Sequence, residues 1–383
     1  MKLPYNFVQT FSRGYATRLG HSFGVVLDID GVLQRGRAIL PRVKDAFHLI
    51  TRQKDGHHKF VVPTIPPKKV LMAHSPLRMF HDLHNRHVLV VGQEQCGAIA
   101  KALGFTNVTT IQELRVMFPH LDCVDFGRKH VSELEASQLR AKFTPIQAVI
   151  LMGEPLAWES CLQLLMDCLL TAGVMTGGRG GDYAANQIPV VACNLDWVYM
   201  AENVGLPRIG HGAFVHCLES CYYTLTGRHL HYEAVGKPTE ISYLHAAHVI
   251  QQQAQEMNIE AVKTLYVIGD NLMSDVFGAK LFDRYLRHGG RGRFDQVDLD
   301  LFEESDPPEV RTRHVVDRCI SILVETGVYQ EGCRINGAVK PISMLIDENL
   351  SQGEQAALIQ PDFVERDLYA AIRTILTREN SRA

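Results

Sequence analysis

The apolar positions of the chain gather into six short runs that stop at polar or small residues. Val, Ile and Leu dominate each run, and Gly, Asp or Asn bounds it, which is typical of strands buried on both faces of a sheet. The predicted strands are Phe23–Leu27, Val88–Val91, Ala148–Met152, Pro189–Ala192, Leu265–Ile268 and Ile320–Val324.

Amphipathic helices are predicted between these strands. Pro41 precedes apolar residues at helical spacing up to Ile50, and a second such pattern runs from Trp158 to Leu170. A closing helix is expected over 362–376. Strands that alternate with helices favour an α/β fold with a Rossmann-like, doubly wound and mostly parallel sheet. Ligands bind such a sheet at the carboxyl ends of its strands.

Two stretches lack this periodicity. Residues 289–314 are rich in Gly, Arg, Asp, Glu and Pro, and residues 330–361 are similarly irregular. We interpret both as mobile surface loops.

The beginning of the chain has the composition of an import signal. Residues 1–27 contain three basic side chains and no acid, and their apolar residues up to Phe11 are spaced to share one helical face. Arg13-Gly14-Tyr15-Ala16 resembles a mitochondrial processing site that is cleaved after the tyrosine. We therefore expect a transit peptide over 1–20 and a location in the mitochondrial matrix. The alternative is a frayed, mildly basic terminus.

Composition narrows the class of protein. With 383 residues, 46% of them hydrophobic, the chain can bury a large core, and its net charge of −3 provides no basic field to hold nucleic acid. The nine cysteines form no C-x-x-C pair, so a disulfide framework and a zinc site are both disfavoured. A transmembrane protein is not expected, because no apolar run reaches the ~18 residues of a membrane span.

A pair of acids follows the first predicted strand. Asp28 and Asp30 stand two residues apart at its end, and Gly31 permits a sharp turn, so both carboxylates are expected to face one crevice. One aspartate of such a pair can attack phosphorus and form an aspartyl-phosphate, while the other donates a proton to the leaving oxygen and later activates water. A calcium loop is the alternative, but Gly31 comes too early for one.

A second acidic cluster follows the strand at 265–268. Asp270 and Asp275 could complete the oxygen shell of a magnesium ion that also contacts a substrate phosphate. Between the two clusters, Lys237 stands between a glycine and a proline, where a fixed ammonium could screen the attacking carboxylate and the phosphate. Each feature alone could be a turn, a helix cap or a solvated lysine, but together they favour a site.

These segments resemble motifs of the haloacid dehalogenase superfamily. Asp28–Leu33, Gly236–Pro238 and Gly269–Asn271 with Asp275 are similar to three of its four motifs, in the order of its class IIA branch. Four further segments resemble the cat eye syndrome critical region protein five family over residues 22 to about 330: His74–Leu77, Gly153–Pro155, Asn194–Asp196 and Gly210–Gly212.

The resemblance implies a phosphatase that forms an aspartyl-phosphate and uses magnesium. It implies Asp28 as the nucleophile, Asp30 as the acid and base, and Lys237 as the residue that stabilises charge. The residues that it places around the metal are Asp28, Asp30, Asp270 and Asp275.

The resemblance also implies an α/β cap domain inserted over 76–207. The core would then consist of 21–75 and 208–383. Such a cap closes over the phosphate and selects the leaving group. Asn194, Asp196 and His211 are candidates for that task, with turn capping as the alternative. The implied partner is a small phosphorylated metabolite, and a homodimer formed through the cap is a candidate assembly.

One superfamily motif departs from its usual form. It is a strand that ends in Thr or Ser, whose hydroxyl holds the phosphate, followed by a helix. Here Thr64 leads directly into the proline-containing segment Ile65–Lys69, so Thr64 could be a substitute, but no helix fits before Val70. The leading expectation is a magnesium-dependent phosphatase. The alternatives are a catalytically impaired protein that binds a metabolite or a partner and, without support from the sequence, a role in glycerophospholipid metabolism.

Overall fold

The computed structural model describes residues 7–12, 23–51, 70–123, 132–175, 186–202, 204–256, 262–288, 316–329 and 350–382, the first range as backbone alone. The chain divides into two compact units. The first unit comprises Met1–Ala73, Asp196–Ile209 and Gly236–Ala383, and the second comprises His74–Leu195 and Gly210–Val235. Within the described ranges, every helix is too short or too polar to cross a bilayer.

The elements are numbered along the chain. The strands are β1 (Phe7–Ser12), β2 (Phe23–Asp28), β3 (Gln34–Arg35), β4 (Ala38–Ile39), β5 (Val70–Met72), β6 (His87–Val91), β7 (Asn107–Thr110), β8 (Ala148–Leu151), β9 (Val190–Ala192), β10 (Val198–Tyr199), β11 (Arg208–Ile209), β12 (Glu233–Ala234), β13 (Thr264–Gly269), β14 (Arg318–Val324) and β15 (Phe363–Glu365). The α-helices are α1 (Val43–Thr51), α2 (His81–His84), α3 (Cys96–Ala102), α4 (Ile111–Met117), α5 (Glu133–Arg140), α6 (Trp158–Leu170), α7 (His211–Thr226), α8 (Glu240–Glu256), α9 (Phe277–Arg287), α10 (Gln352–Ala357) and α11 (Leu368–Arg382). A 3₁₀ helix spans Ser75–Met79, and a π-helical turn spans Leu272–Val276.

A six-stranded sheet forms the centre of the first unit, in the order β15–β14–β13–β2–β1–β5. Strands β2, β13, β14 and β15 run parallel to one another. Successive residues of a strand face opposite sides of the sheet. Val25 and Leu27 therefore pack with α1 and α11 on one face, and Val26 packs with α8 and α9 on the other. Because helices cover both faces, the fold is doubly wound.

Strand β1 is the antiparallel member of this sheet. It pairs with β2 in a register that sets Val8 opposite Asp28, and it pairs with β5 along its other edge. The expectation of a helical face up to Phe11 is therefore wrong for the folded chain, because hydrogen bonds to two neighbouring strands hold this backbone extended. The transit peptide over 1–20, with cleavage after Tyr15, stays a prediction.

The second unit has its own parallel sheet, in the order β12–β9–β8–β6–β7. Strands β6 and β8 are buried along their whole length, as expected for strands covered on both faces. Helix α6 contributes Leu164, Leu165 and Leu169 to the buried core.

The predicted fold class is confirmed, since strands β2, β6, β8, β9, β13 and β14 coincide with the six predicted runs. The predicted helix at Trp158–Leu170 is also present, with the same bounds. The closing helix begins at Leu368 and not at residue 362, because Phe363–Glu365 pairs with β14 as an edge strand.

The predicted loops and the predicted insert are described only in part, and their bounds differ from those observed. The loop at 289–314 lies outside the described residues, as do residues 330–349 of the second loop. The remainder of that loop contains α10, where Ser351 and Glu354 form a reciprocal cap, so an irregular loop is wrong there. The predicted insert at 76–207 also differs from the second unit, which lacks Asp196–Ile209 and gains Gly210–Val235.

Candidate active site

The first acid of the site stands at the carboxyl end of β2. Asp28 is the last residue of the strand and is 8% exposed. A tight turn follows, in which the Leu33 amide donates to the Ile29 carbonyl over 2.9 Å. Gly31 has a φ of 86°, and a Cβ on it would lie 2.3 Å from Oδ2 of Asp270. The turn thus requires glycine for both its backbone conformation and its approach to the second acid.

Asp270 follows β13, which lies beside β2 in the sheet. Ile268 pairs with Leu27 in the parallel register, so both strands end at the same edge and deliver their acids side by side. Asp275 lies in the π-helical turn Leu272–Val276, a type of turn that is frequent at functional sites.

Backbone and side-chain contacts fix the position of Asp275. The amide of Asn271 donates to Oδ2 of Asp275 over 3.1 Å. The buried hydroxyl of Tyr243 donates to the Ser274 and Asp275 carbonyls over 3.3 and 3.2 Å. A Cβ on Gly269 would lie 2.2 Å from the Asp275 side chain, so the strand end must be glycine.

Lys237 lies between Asp28, which ends β2, and Asp275, which follows β13. Its Nζ lies 3.0 Å from Oδ1 of Asp28 and 2.8 Å from Oδ1 of Asp275, and the residue is 7% exposed. The turn that carries it is closed by the Thr239 hydroxyl, which donates to the Gly236 carbonyl over 2.6 Å. Because three carboxylates surround it, the pKa of Lys237 is raised despite burial, and the ammonium stays charged.

Three buried carboxyl groups share one ammonium in this cluster. One oxygen each of Asp28, Asp270 and Asp275 lies within 4.8 Å of the others. Burial, opposed by Lys237 and reinforced by the neighbouring acids, raises the pKa of Asp28 well above its usual range. Burial and the Asp275 charge raise the pKa of Asp270 to about 7. Crowded, buried carboxylate oxygens are a donor set that fits a hard cation such as magnesium.

A loop after β14 holds Asp270, and sequence reasoning missed it. The Val328 amide donates to Oδ2 of Asp270 over 2.6 Å, and the Tyr329 amide donates to the Asp270 carbonyl over 2.9 Å. A Cβ on Gly327 would lie 1.7 Å from the same Oδ2, so glycine is required there too. The only sequence signal for this loop was Gly327, which comes shortly after the predicted strand at 320–324. That strand ends at the carboxyl edge of the sheet, where ligands bind.

The other predicted site residues lie in different places. Asp30 is half-buried, and its charge contributes to the raised pKa of Asp28. Asp196 belongs to the first unit, where burial and the Asp275 charge, opposed by Lys237, raise its pKa to about 6. Thr64 lies outside the described residues.

Two predicted residues belong to the second unit. Asn194 and His211 are both buried, at 3% and 1% exposure. The His211 ring stacks on Phe214 with 6.0 Å between centroids, and burial lowers its pKa to about 4, so it is neutral at physiological pH.

Comparisons with known proteins gave the following relatives. No family model matches the chain. The chain is 24% identical over 294 residues to the mitochondrial hydrolase YKR070W of Saccharomyces cerevisiae, an alignment that covers 66% of this chain and 82% of the yeast protein. It is 28% identical over 255 residues to a cardiolipin synthase (CMP-forming) / mitochondrial hydrolase fusion protein of Schizosaccharomyces pombe. That alignment covers 64% of this chain but 40% of the fusion protein.

Two solved structures are similar to the chain at lower identity. Glycerol phosphate phosphatase Rv1692 from Mycobacterium tuberculosis, in complex with magnesium, is 15% identical with a TM-score of 0.46, over 90% of this chain and 76% of that one. Hypothetical protein PH1952 from Pyrococcus horikoshii is 16% identical with a TM-score of 0.47, over 92% and 98% of the two chains.

Proposed function

We propose that the chain is a mitochondrial, magnesium-dependent phosphohydrolase of the haloacid dehalogenase type that acts on a small phosphomonoester. The observation that carries this proposal is the buried cluster in which oxygens of Asp28, Asp270 and Asp275 lie within 4.8 Å of one another, with Lys237 contacting Asp28 and Asp275. The names of the two fungal relatives support both the hydrolase class and the location. Membership of the cat eye syndrome critical region protein five family and the matrix compartment stay predictions.

The proposed reaction has two steps. In the first, a carboxylate oxygen of Asp28 bonds to phosphorus as the bond to the leaving oxygen breaks, and Asp30 donates a proton to that oxygen. In the second, Asp30 takes a proton from water, the water oxygen bonds to phosphorus, and the bond to Asp28 breaks, which releases inorganic phosphate. Asp28 must be ionised to attack, and the Lys237 ammonium 3.0 Å away favours that state.

The cofactor would be held by the same acids. Magnesium bound by Asp28, Asp30, Asp270 and Asp275 would supply positive charge against the phosphate oxygens and the carboxylates. When all three acids are ionised, the single ammonium of Lys237 does not balance their charge. We therefore expect the ion to be needed before an anionic substrate can approach Asp28.

One observation favours the second candidate, a catalytically impaired protein that binds a phosphorylated ligand. Strand β2 lies between β13 and β1. On the side away from β13 its neighbour β1 runs antiparallel, so the amino-terminal end of β1 lies next to Asp28. A parallel neighbour would end at the same sheet edge as Asp28 and could present a hydroxyl to the phosphate. Among the described strands, the one on this side of β2 does not end beside Asp28.

The deciding experiment is phosphate release across a panel of phosphomonoesters, including phosphorylated glycerols, with and without magnesium. We expect magnesium-dependent release that Asp28→Asn abolishes, because the amide is nearly isosteric but cannot attack phosphorus. Asp45→Asn, an exposed change on α1, is the matched control and should keep full activity.

Calorimetry of beryllium fluoride binding separates the two candidates. Magnesium-dependent binding of the fluoride without release from any ester would favour the impaired protein. Release that persists in Asp28→Asn would reject Asp28 as the nucleophile.

A further inference from the structure

Arg35 connects two parts of the first unit that are far apart in sequence. It ends β3, in the short hairpin that follows the acid pair after β2. Its Nε and Nη2 both donate to the carbonyl oxygen of Thr326, over 3.0 and 2.7 Å. A charged donor with two bonds to one acceptor fixes the orientation of that carbonyl more firmly than a single neutral bond would.

The segment that contains Thr326 also makes hydrogen bonds to the turn after Asp28 and to Asp270. The Thr326 hydroxyl donates to the Gly31 carbonyl over 2.6 Å, which ties the same residue to the turn after Asp28. Two positions further along the chain, the Val328 amide donates to Oδ2 of Asp270 over 2.6 Å. The segment Thr326–Val328 therefore joins the hairpin, the first acidic turn and Asp270 within three residues.

Asp270 depends on this backbone donor. Lys237 contacts Asp28 and Asp275, whereas the hydrogen bond described for the Asp270 carboxylate comes from Val328. Gly327 lies so close to Asp270 that a Cβ added to it would be 1.7 Å from Oδ2 of Asp270. A small rotation of this loop would therefore move the Asp270 carboxylate or strain its contact with the loop.

We propose that Arg35 is a positioning residue that sets the orientation of Asp270 for cation binding, acting through Thr326 and Val328. The proposal rests on the proposed function only in its choice of magnesium as the cation. Without the guanidinium, the Thr326 carbonyl loses its charged partner and the Val328 amide is held less firmly against Asp270. The hydrogen bonds described for the Arg35 side chain go to Thr326 and not to Asp28 or Asp270.

The test compares three variants in two measurements that do not require activity. Arg35→Gln removes the charged fork, Arg35→Lys restores a charge with a single donor group, and Arg37→Gln changes an exposed side chain of the same hairpin as the matched control. The first measurement is the magnesium concentration that half-saturates the rise in melting temperature. The second is amide hydrogen exchange in the fragment that contains Val328.

We expect Arg35→Gln to raise the half-saturating magnesium concentration and the exchange rate at Val328, each on the order of tenfold, the effect of one charged hydrogen bond. Arg35→Lys should recover part of both, and Arg37→Gln should match the unmodified protein. A lower melting temperature in Arg35→Gln with unchanged magnesium dependence or unchanged exchange at Val328 would show a merely structural role and overturn the proposal. A magnesium response without phosphate release would reject the proposed function alone.

Discussion

At the scale of the residue, burial sets the protonation of the carboxyl groups around Lys237. Asp270 has a pKa of about 7 and Asp196 a pKa of about 6, because burial and neighbouring acids disfavour their charged forms. Both values lie above those of the unfolded chain. The folded state therefore binds more protons than the unfolded state between about pH 4 and pH 7, so these two groups favour folding at low pH and lose that contribution as the pH rises.

Buried histidines change the stability with pH in the opposite direction to the buried acids. Their effect ends near pH 6.5, so the acids are best tested above that pH. Burial lowers the pKa of His74 and His211 to about 4. Because these histidines bind fewer protons when folded, their contribution to stability grows as the pH rises to about 6.5 and is constant above it. Between pH 6.5 and 8, the ionisation of Asp270 and of its neighbour Asp28, whose pKa burial also raises, is thus expected to dominate the change.

We predict that the metal-free protein loses stability between pH 6.5 and 8 and that Asp270→Asn makes this loss smaller. The neutral amide avoids the cost of ionising a buried acid beside Asp275. The measurement is the melting temperature in chelator at pH 6.5, 7.2 and 8.0. Asp45→Asn is the control and should keep the slope of the unmodified protein. Parallel slopes for Asp270→Asn and the unmodified protein would contradict the assigned pKa.

Side chains of the site could be predicted from sequence, but backbone donors could not. Asp28, Asp270 and Asp275 follow strands whose apolar runs are plain, and Lys237 lies in a short recognisable motif, so the structure places these four together. The Val328 amide has no side-chain chemistry to reveal it. The position of Asp196 was equally hidden, because the loop that carries it joins the first unit through three-dimensional packing.

At the scale of the element, buried strands were the most predictable feature. Six runs of branched apolar residues became strands because parallel strands are covered on both faces and need no polar alternation. Strand β1 was missed, since Phe7–Ser12 is neither a continuous apolar run nor a regular alternation, and its basic surroundings suggested a leader. Pairing with β2 and β5 overrides the local helical spacing.

Strand β1 makes the predicted leader testable in the folded protein. Cleavage after Tyr15 would remove the strand that lies between β2 and β5. We expect a chain that begins at Ala16 to melt at a lower temperature than the full chain, because β2 loses the ladder from Val8 to Ser12 beside Asp28.

Mass spectrometry of the native protein, purified from separate mitochondrial and cytosolic fractions, shows which form exists. An N-terminus at Ala16 would confirm the predicted processing, and an intact Met1 in a cytosolic fraction would reject the import signal. Equal melting temperatures for the two chains would show that β1 contributes nothing to the stability of the sheet.

At the scale of the whole molecule, the boundary between the units could not be predicted from sequence order. The segment Asp196–Ile209 lies within the predicted insert but belongs to the first unit. There Glu202 accepts a hydrogen bond from the Arg37 amide over 3.1 Å, at the hairpin that also carries Arg35. Such a contact joins residues 165 positions apart, and no periodic pattern encodes it.

The order of the large sheet bears on how well the site can hold phosphate. With β1 antiparallel on the side of β2 away from β13, the strand end next to Asp28 on that side is an amino-terminal end. The motif expected at Thr64 would normally supply a hydroxyl from a parallel neighbour, but Thr64 lies outside the described residues and prolines follow it closely.

We therefore predict that a strand ending in Thr-Asn, followed by a helix and inserted between Thr64 and Ile65, raises both the melting temperature and the phosphatase rate. The added hydroxyl would replace a preorganised phosphate donor, an effect of ~10²–10³ in rate by analogy with an oxyanion-hole donor. The added helix would also bury apolar area at roughly 25 cal/mol per Å². A Gly-Ser insertion of the same length is the control and should raise neither quantity. If the chain without the insertion already hydrolyses phosphomonoesters as fast as the extended chain, Thr64 suffices and the neighbour of β2 does not limit catalysis.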